Sequence, residues 1–522
     1  MSLLRDQIAV SALLANLCLV AVIPAQGAPL PNIVQIMCDD LGWGDVGFNG
    51  NSVIHTPQLD EMARSGIVFT RFYAAAPVCS PTRGASLTGR HPYRYGILSA
   101  NVGHMLPREL TVAEILQEAG YTTGHFGKWH LGTMTKTQRD SNRGGPRGAE
   151  HYSPPQDNGF DVCFSTEAKV PTWDPLIKPK GAKGNWWAPL AEGVDSEAVD
   201  DEGVDDEAVD DEGVDDEGVD DEGDNVEEYG TSYWNERGER VTNNVSGDDS
   251  RVIIDRVVPF IESAAREQKP FYAVVWYHAP HLPVVAGPKY TAMYPESDPY
   301  EAHYFGCITA MDEQLGRLRS TLRRLGIADN TLVTFCSDNG PEGASRKVAG
   351  AGKGAPGSAG PFRGRKRDLY EGGIRVPAII EWPTRISAGS RTDFPAVTSD
   401  YVPTFLEAIG KPLPSDRQFD GVSLIPVLQL RGTEHLRSRP IAFEFAGKSA
   451  LIDNRFKLIR CPHGAKQGNT AILPTGTGQY ELYDIIADPE ESNDIAADHR
   501  DIVDHMSEQL ARWQAECQHD LE

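Results

Sequence analysis

The chain has 522 residues, 40% of them hydrophobic, enough for one large α/β domain and a smaller one around a sizeable core. Its formal charge of −26 argues against a nucleic-acid partner, which favours a basic surface. Much of that charge is local: positions 192–224 hold 19 carboxylates and no Lys or Arg, and removing those 19 from −26 leaves −7, ordinary for a soluble domain.

In chain order, the first segment has the features of an export signal. Arg5 supplies a positive start, Ile8 to Ile23 is mostly apolar, and Pro24-Ala25-Gln26-Gly27-Ala28 offers small residues for cleavage after Gly27. The apolar run falls short of the roughly 20 residues a membrane span needs. The expectation is therefore an exported protein, periplasmic or secreted, with residues 1–27 as signal peptide and no membrane span after its removal.

Asn32 to Met37 is a short apolar run ending in Cys38-Asp39-Asp40, which predicts a buried strand with acids at its carboxyl end. Ile67 to Pro77 is an extended apolar stretch. Helical signals follow at Gln58 to Arg64 and Val112 to Ala119, with a strand at Tyr121 to Phe126. Ser250 to Glu267 repeats apolar residues at helical period, Phe271 to Trp276 reads as a buried strand, and Tyr304 to Leu325 as a long helix. Leu332 to Cys336 and Val376 to Glu381 are further strands, and Ser399 to Ile409 a helix. This alternation predicts an α/β fold with a mostly parallel, mixed sheet sandwiched by helices. Ligands of such sheets gather at the carboxyl ends of strands, where Asp39, Asp40 and Asp338 lie.

After about Pro426 the texture changes. Short strand candidates at Ile441 to Phe445, Ala450 to Ile452, Phe456 to Ile459 and Tyr480 to Tyr483 precede a closing helix at Val503 to Trp513. The expected organisation is a catalytic α/β domain over 28–425 and a smaller C-terminal α+β subdomain over 426–522. The insertion 192–224 repeats a Glu-Gly/Ala-Val-Asp-Asp/Ser unit too acidic and Gly-rich to bury a core, so a solvated, disordered insertion is expected. The eight cysteines are scattered and form no Cys-x-x-Cys, unlike a disulfide scaffold. Cys38 and Cys336 end apolar strands and are expected as small core residues.

Several groups of residues suit chemistry. Cys79-Ser80-Pro81-Thr82-Arg83 opens a small-residue run, and a cysteine at a helix start beside an arginine predicts an electropositive, reactive thiol. Asp39-Asp40 and Asp338-Asn339 together offer the oxygens a hard divalent cation wants, calcium or magnesium rather than zinc. Lys128 and His130, in Gly127-Lys128-Trp129-His130-Leu131-Gly132, are two apart and would share a side of an extended segment, a pairing suited to a tetrahedral anion. Tyr277-His278-Ala279-Pro280-His281 follows a strand directly. Phe362 to Pro377 holds Arg363-Gly364-Arg365-Lys366-Arg367 and then Tyr370-Glu371-Gly372-Gly373-Ile374-Arg375.

Cys-x-Pro-Thr-Arg followed by Thr88-Gly89-Arg90 resembles the type I sulfatases, and the other segments match that family's motifs in order from Asn32 to Pro377. A weaker echo lies at Tyr480 to Pro489. The resemblance implies an alkaline-phosphatase-like fold and a metal site of Asp39, Asp40, Asp338, Asn339 and the modified Cys79 that holds one calcium ion. It implies oxidation of Cys79 to Cα-formylglycine by a formylglycine-generating enzyme, a maturation partner. It further implies sulfate-ester hydrolysis through a covalent sulfate intermediate at position 79. Arg83, Lys128 and Lys366 would neutralise the sulfate oxygens, His281 would protonate the leaving alcohol with Lys366 nearby, and His130 would take the proton that lets sulfate leave. His278 is expected to be structural, and Glu371 and Arg375 to brace the loop. Arg365 and Arg367 stand where the family more often has glycine, and are expected to make the mouth more basic. The expected substrate is a sulfated carbohydrate or aryl sulfate. The competing expectations are a formylglycine-dependent phosphodiesterase or phosphonate monoester hydrolase, and a non-catalytic binder of sulfated glycans using the basic loop. Trp173, Trp186, Trp187 and Trp234 are candidates for stacking on sugar rings.

Overall fold

Asn32–Cys38 is a central strand because both its faces are covered: Ile33 and Met37 enter one apolar core, Val34, Ile36 and Cys38 the other. Such a strand reads as one continuous apolar run rather than an alternating one. The computed structural model describes residues 29–188, 225–343, 354–429, 436–460 and 480–521. The export signal with Cys18, the acidic repeat and Cys461 lie outside them.

The central strand pairs in parallel with Thr331–Ser337 on one side and Phe271–Trp276 on the other, with Ile33 opposite Leu332 and Tyr272. Thr122–Lys128 and Val162–Thr166 extend the parallel array. Antiparallel pairings complete a ten-stranded sheet, with Ala378–Glu381 and Ile67–Phe69 on one flank and Tyr233–Asn235 and Arg240–Val241 on the other, and Ser390–Thr392 pairs in parallel with Ile67–Phe69 at the edge of the first flank. The strand order reverses around Asn32–Cys38, which opens a crevice at the carboxyl ends of its neighbours.

Helices cover both faces, among them Asp249–Arg266 and Pro299–Arg324 on one and Val112–Glu118 and Tyr401–Ala408 on the other. Pro299–Arg324 starts before Tyr304 because Asp298 caps it through the Glu301 amide and Pro299 tolerates the first turn. The apolar stretch from Ile67 breaks into Ile67–Phe69 and Phe72–Tyr73, which join different sheets. The run from Val376 likewise divides, Arg375–Val376 pairing with Phe72–Tyr73 and Ala378–Glu381 with the large sheet.

A separate antiparallel sheet of four strands, Ile441–Phe445, Lys448–Asp453, Phe456–Arg460 and Tyr480–Asp484, follows near the C-terminus. Its Leu451, Leu458 and Leu482 bury against Val503, Met506 and Leu510 of the helix Arg500–Leu521. Cys38 and Cys336 are buried, as expected, and the six cysteines among the described residues are free thiols.

Candidate active site

The helix Cys79–Thr88 is buried along its whole length. Small residues make this feasible: a Cβ on Gly84 would lie 2.6 Å from the Tyr95 hydroxyl. Gly89 ends the helix at φ 68, donating its N–H to the Ala85 carbonyl, a backbone conformation glycine adopts without strain. Arg83 is one turn on from Cys79, so the two side chains share a face.

The strand ends deliver the remaining groups. Asp39 and Asp40 follow the central strand, and Asp338 and Asn339 follow Thr331–Ser337. The Asp40 amide donates to Asp338 Oδ1 at 3.1 Å, and Asn339 Nδ2 donates to Asp40 Oδ1 at 2.7 Å. Each carboxylate faces a cation. Arg83 grips Asp338 Oδ2 through Nη2 at 2.6 Å and Nε at 3.1 Å. Lys128 Nζ lies 2.6 Å from Asp39 Oδ2, and Lys366 Nζ 2.9 Å from Asp40 Oδ2. His281 Nε2 stands 3.7 Å from the same Asp40 oxygen. Its Nδ1 is 2.6 Å from the Leu282 carbonyl, which makes Nδ1 the protonated nitrogen.

The structure therefore brings together Asp39, Asp40, Cys79, Arg83, Lys128, His281, Asp338, Asn339 and Lys366. His130 joins them by a different route from the expected one. The strand ends at Lys128, and His130 lies in the left-handed region at φ 58, so a turn and not an extended pleat separates the two; the charges of Lys128, Arg83 and Asp39 still act on its ring. His278 is held between Thr166 Oγ1 at 2.7 Å and Asp249 Oδ2 at 2.8 Å, partners outside the expected site set.

Two expectations need correction. Burial raises the Cys79 thiol pKa, and Asp39 and Asp338 oppose the lowering by Lys128 and Lys366, so the thiol is not an activated thiolate. The arginines around Lys366 do not make a free basic mouth. Arg365 is buried and donates to the Glu342 carbonyl at 2.8 Å, Arg367 reaches Glu342 Oε1 at 2.5 Å, and Arg363 lies over the Tyr370 ring at 3.8 Å and donates to Tyr483. Their guanidiniums hold the loop together. Glu342, which no motif marks, also pairs with Lys366 at 2.9 Å. Asn101 is the other residue without a sequence signal; its Oδ1 lies 3.0 Å from His130 Nε2.

The donor set fits a hard divalent cation. Asp39 Oδ1 and Asn339 Oδ1 are buried without a hydrogen-bond partner. Donor atoms of Asp39, Cys79 and Asp338 lie within 4.8 Å of one another, as do those of Asp39, Asp40 and His281. The carboxylates also compete. Burial and the Asp39 charge push Asp338 up to about 7 against Arg83, and burial raises Asp40 against Lys366. Asp39 is opposed by burial, yet Lys128 and Arg83 hold it well below the usual range. Like charges this close need further positive charge to remain ionised together.

Of the aromatic candidates, Trp234 is buried and donates to Asp140. Trp186 stacks on Tyr300 and His303. The Trp173 ring covers Gly287, where a Cβ would lie 2.2 Å from it.

Comparison with known proteins places this geometry in a family. A family profile described as Sulfatase matches residues 31–411, and one described as N-sulphoglucosamine sulphohydrolase, C-terminal, matches residues 360–516. The N-acetylgalactosamine-6-sulfatase of Rattus norvegicus is 31% identical over 441 residues, covering 82% of this chain and 70% of that protein. Arylsulfatase G of Rattus norvegicus is 31% identical over 476 residues, with coverages of 86% and 79%. The crystal structure of Ps i-CgsB in complex with k-i-k-neocarrahexaose superposes with a TM-score of 0.70 at 26% identity, covering 93% of each chain. The chain belongs to the type I sulfatases of the alkaline phosphatase superfamily, and is a sulfuric ester hydrolase.

Proposed function

We propose that this sulfatase is exported and removes sulfate esters from carbohydrates, with Cys79 matured to formylglycine and one calcium ion bound. The observation that carries the reading is the ring of Arg83, Lys128 and Lys366 around Cys79, each cation set against one of Asp338, Asp39 and Asp40. The carbohydrate preference is supported by the relative named for N-acetylgalactosamine-6-sulfate and by the related structure holding a neocarrahexaose. Export is supported by the composition of residues 1–27. No helix of the described residues is long and apolar enough to cross a membrane.

Formylglycine at position 79 would supply a geminal diol, one hydroxyl to attack sulfur and the second to let the site regenerate without water attacking sulfur. Calcium, held by Asp39, Asp40, Asp338 and Asn339 with position 79, would neutralise charge on a sulfate oxygen. The chain's own residues do the rest. Arg83, Lys128 and Lys366 present fixed positive charge where the sulfate oxygens gain electron density, in a site closed to bulk water. Burial opposes the charge on Lys366, but Asp40 and Glu342 keep it protonated. It stands with His281 at the leaving oxygen: Lys366 supplies the proton, and His281 Nε2, bare in the neutral ring, takes it up and passes it to the departing alcohol. His130 Nδ1 would accept the proton from the hydroxyl at position 79 that allows sulfate to depart.

The test of maturation is the mass of the peptide containing position 79, from protein purified out of its native host. The expected mass is that of an aldehyde, with SH and one H replaced by a single O. An unmodified cysteine contradicts the proposal and favours a non-catalytic binder.

A further inference from the structure

His130 and Asn101 meet side chain to side chain, although their backbones approach from different parts of the fold. His130 Nε2 lies 3.0 Å from Asn101 Oδ1, and His130 Nδ1 is buried without any partner. A neutral imidazole carries one N–H and one lone pair. If the proton sat on Nδ1, a buried donor would face no acceptor, and the Asn101 amide would have to turn its NH2 toward Nε2. With the proton on Nε2, the bond to Asn101 Oδ1 is satisfied and only a lone pair remains unpartnered. Burial, then Lys128 and Arg83, hold the ring well below its ordinary pKa and so neutral. The same positive charges favour a lone pair over an N–H on the unpartnered nitrogen.

The backbone supports a designed contact. Asn101 and His130 are both left-handed, each at φ 58, a conformation that costs most L-residues about 1–2 kcal/mol and that Asn tolerates best. Such residues persist where their surroundings over-determine them. The Trp129 and His130 amides donate to the Thr166 and Glu167 carbonyls, each at 2.9 Å. On the other side, the Met105 amide donates to the Leu131 carbonyl at 2.7 Å, Ser153 Oγ to the Met105 carbonyl at 2.8 Å, and Arg143 Nη1 to the Gly103 carbonyl at 2.8 Å. Gly103, at φ 73, passes so near Gly96 that a Cβ would sit 2.3 Å from its carbonyl oxygen. The loop carrying Asn101 is thus anchored to the segment that follows His130.

We propose that Asn101 is a positioning residue that locks His130 as its Nε2–H tautomer, leaving the Nδ1 lone pair directed to accept a proton. The functional half of this inference rests on the sulfatase reading; the tautomer does not. The test uses the full matured chain, labelled with 15N-histidine, as wild type and as three variants. Asn101→Gly keeps a residue suited to the left-handed backbone but removes the acceptor. Asn101→Asp keeps the acceptor. The wild-type spectrum, with the His130 signal identified by its loss in His130→Gln, is expected to show Nε2 protonated and Nδ1 bare. Asn101→Gly is expected to mix the tautomers and lose at least about tenfold in kcat with little change in KM, part of the about 10²–10⁴-fold that a general base supplies. Asn101→Asp is expected to recover most of that loss, which loop stability alone would not explain. A wild-type Nδ1–H, or wild-type kcat in Asn101→Gly, overturns the proposal. Wild-type protein that releases no sulfate contradicts the functional reading instead, and the spectrum then decides the tautomer by itself.

Discussion

At the scale of single residues, His281 shows how much the surroundings set the chemistry. Burial, with Lys128 and Lys366, holds it well below its ordinary pKa, while Asp39 pulls the other way. The ring is neutral in the free site, and Lys366 is the neighbour that reliably holds a proton. Their partnership predicts a dependence on the leaving group. His281→Ala should lower kcat/KM for a sugar or alkyl sulfate by about 10²–10⁴-fold, and affect an aryl sulfate with an acidic phenol far less. Equal losses on both substrates would remove His281 from proton donation. The carboxylates of the site were legible in the sequence because Asp39-Asp40 and Asp338-Asn339 are contiguous pairs at the ends of apolar runs. Glu342 and Asn101 were not, because each acquires its role from a loop distant in sequence, Lys366 for one and His130 for the other. The state of the Cys79 thiol also escaped a local reading: proximity to arginine is visible in sequence, but burial is not.

At the scale of elements, the loop that bears Lys366 is stitched to the strand end carrying Asp338 and to the approach to the Cys79 helix. The Lys366 amide donates to the Pro341 carbonyl, the Arg367 amide to Pro77, two residues before Cys79, and the Gly340 amide to Gly373. Behind the loop, Glu371 forms a buried charge cluster with the C-terminal sheet. Lys457 Nζ lies 3.0 Å from Glu371 Oε1 and 2.8 Å from Glu491 Oε1, and Arg375 and Tyr73 both reach Glu371 Oε2. Removing one partner of such a cluster leaves buried charge uncompensated, at about 3–5 kcal/mol. Lys457→Met should destabilise by that order in urea unfolding, and the Lys457→Met, Glu491→Gln double variant by less than the sum of its two single changes. Additive losses would mean that Lys457 and Glu491 are not coupled. The expectation that Glu371 and Arg375 brace the loop followed from their place in the motif. Their partner Lys457 is visible only once the second sheet is in position. Similarly, apolar periodicity located the long helices but not their ends. Pro299–Arg324 begins at its Asp298 cap, and Arg500–Leu521 runs on past Trp513 through residues mostly exposed to solvent.

At the scale of the whole molecule, the ten-stranded sheet acts as a frame whose central strand ends deliver acids to one crevice. The alternation of apolar strands and amphipathic helices made this architecture legible, because fully buried parallel strands leave little ambiguity about their neighbours. The antiparallel flanks were harder to read, since Ile67–Phe69 and Ala378–Glu381 are short and their partners are remote in sequence. A cation bound among Asp39, Asp40, Asp338 and Asn339 would tie two of those strand ends together. Calcium should therefore raise the melting temperature of the full chain and a chelator lower it, since a ligand at 100 times its Kd contributes about 2.7 kcal/mol. Asp338→Asn should abolish the shift. A melting temperature indifferent to calcium would contradict the assignment of these oxygens as ligands.

The most direct measurement is the release of inorganic sulfate from a sulfated oligosaccharide by protein purified from its native host with calcium present, in parallel with Cys79→Ala. The predicted result is turnover by the wild type and none by a Cys79→Ala protein that keeps the wild-type fold by circular dichroism. Sulfate release surviving in Cys79→Ala, or a wild type that hydrolyses an aryl phosphodiester while sparing sulfate esters, would contradict the account.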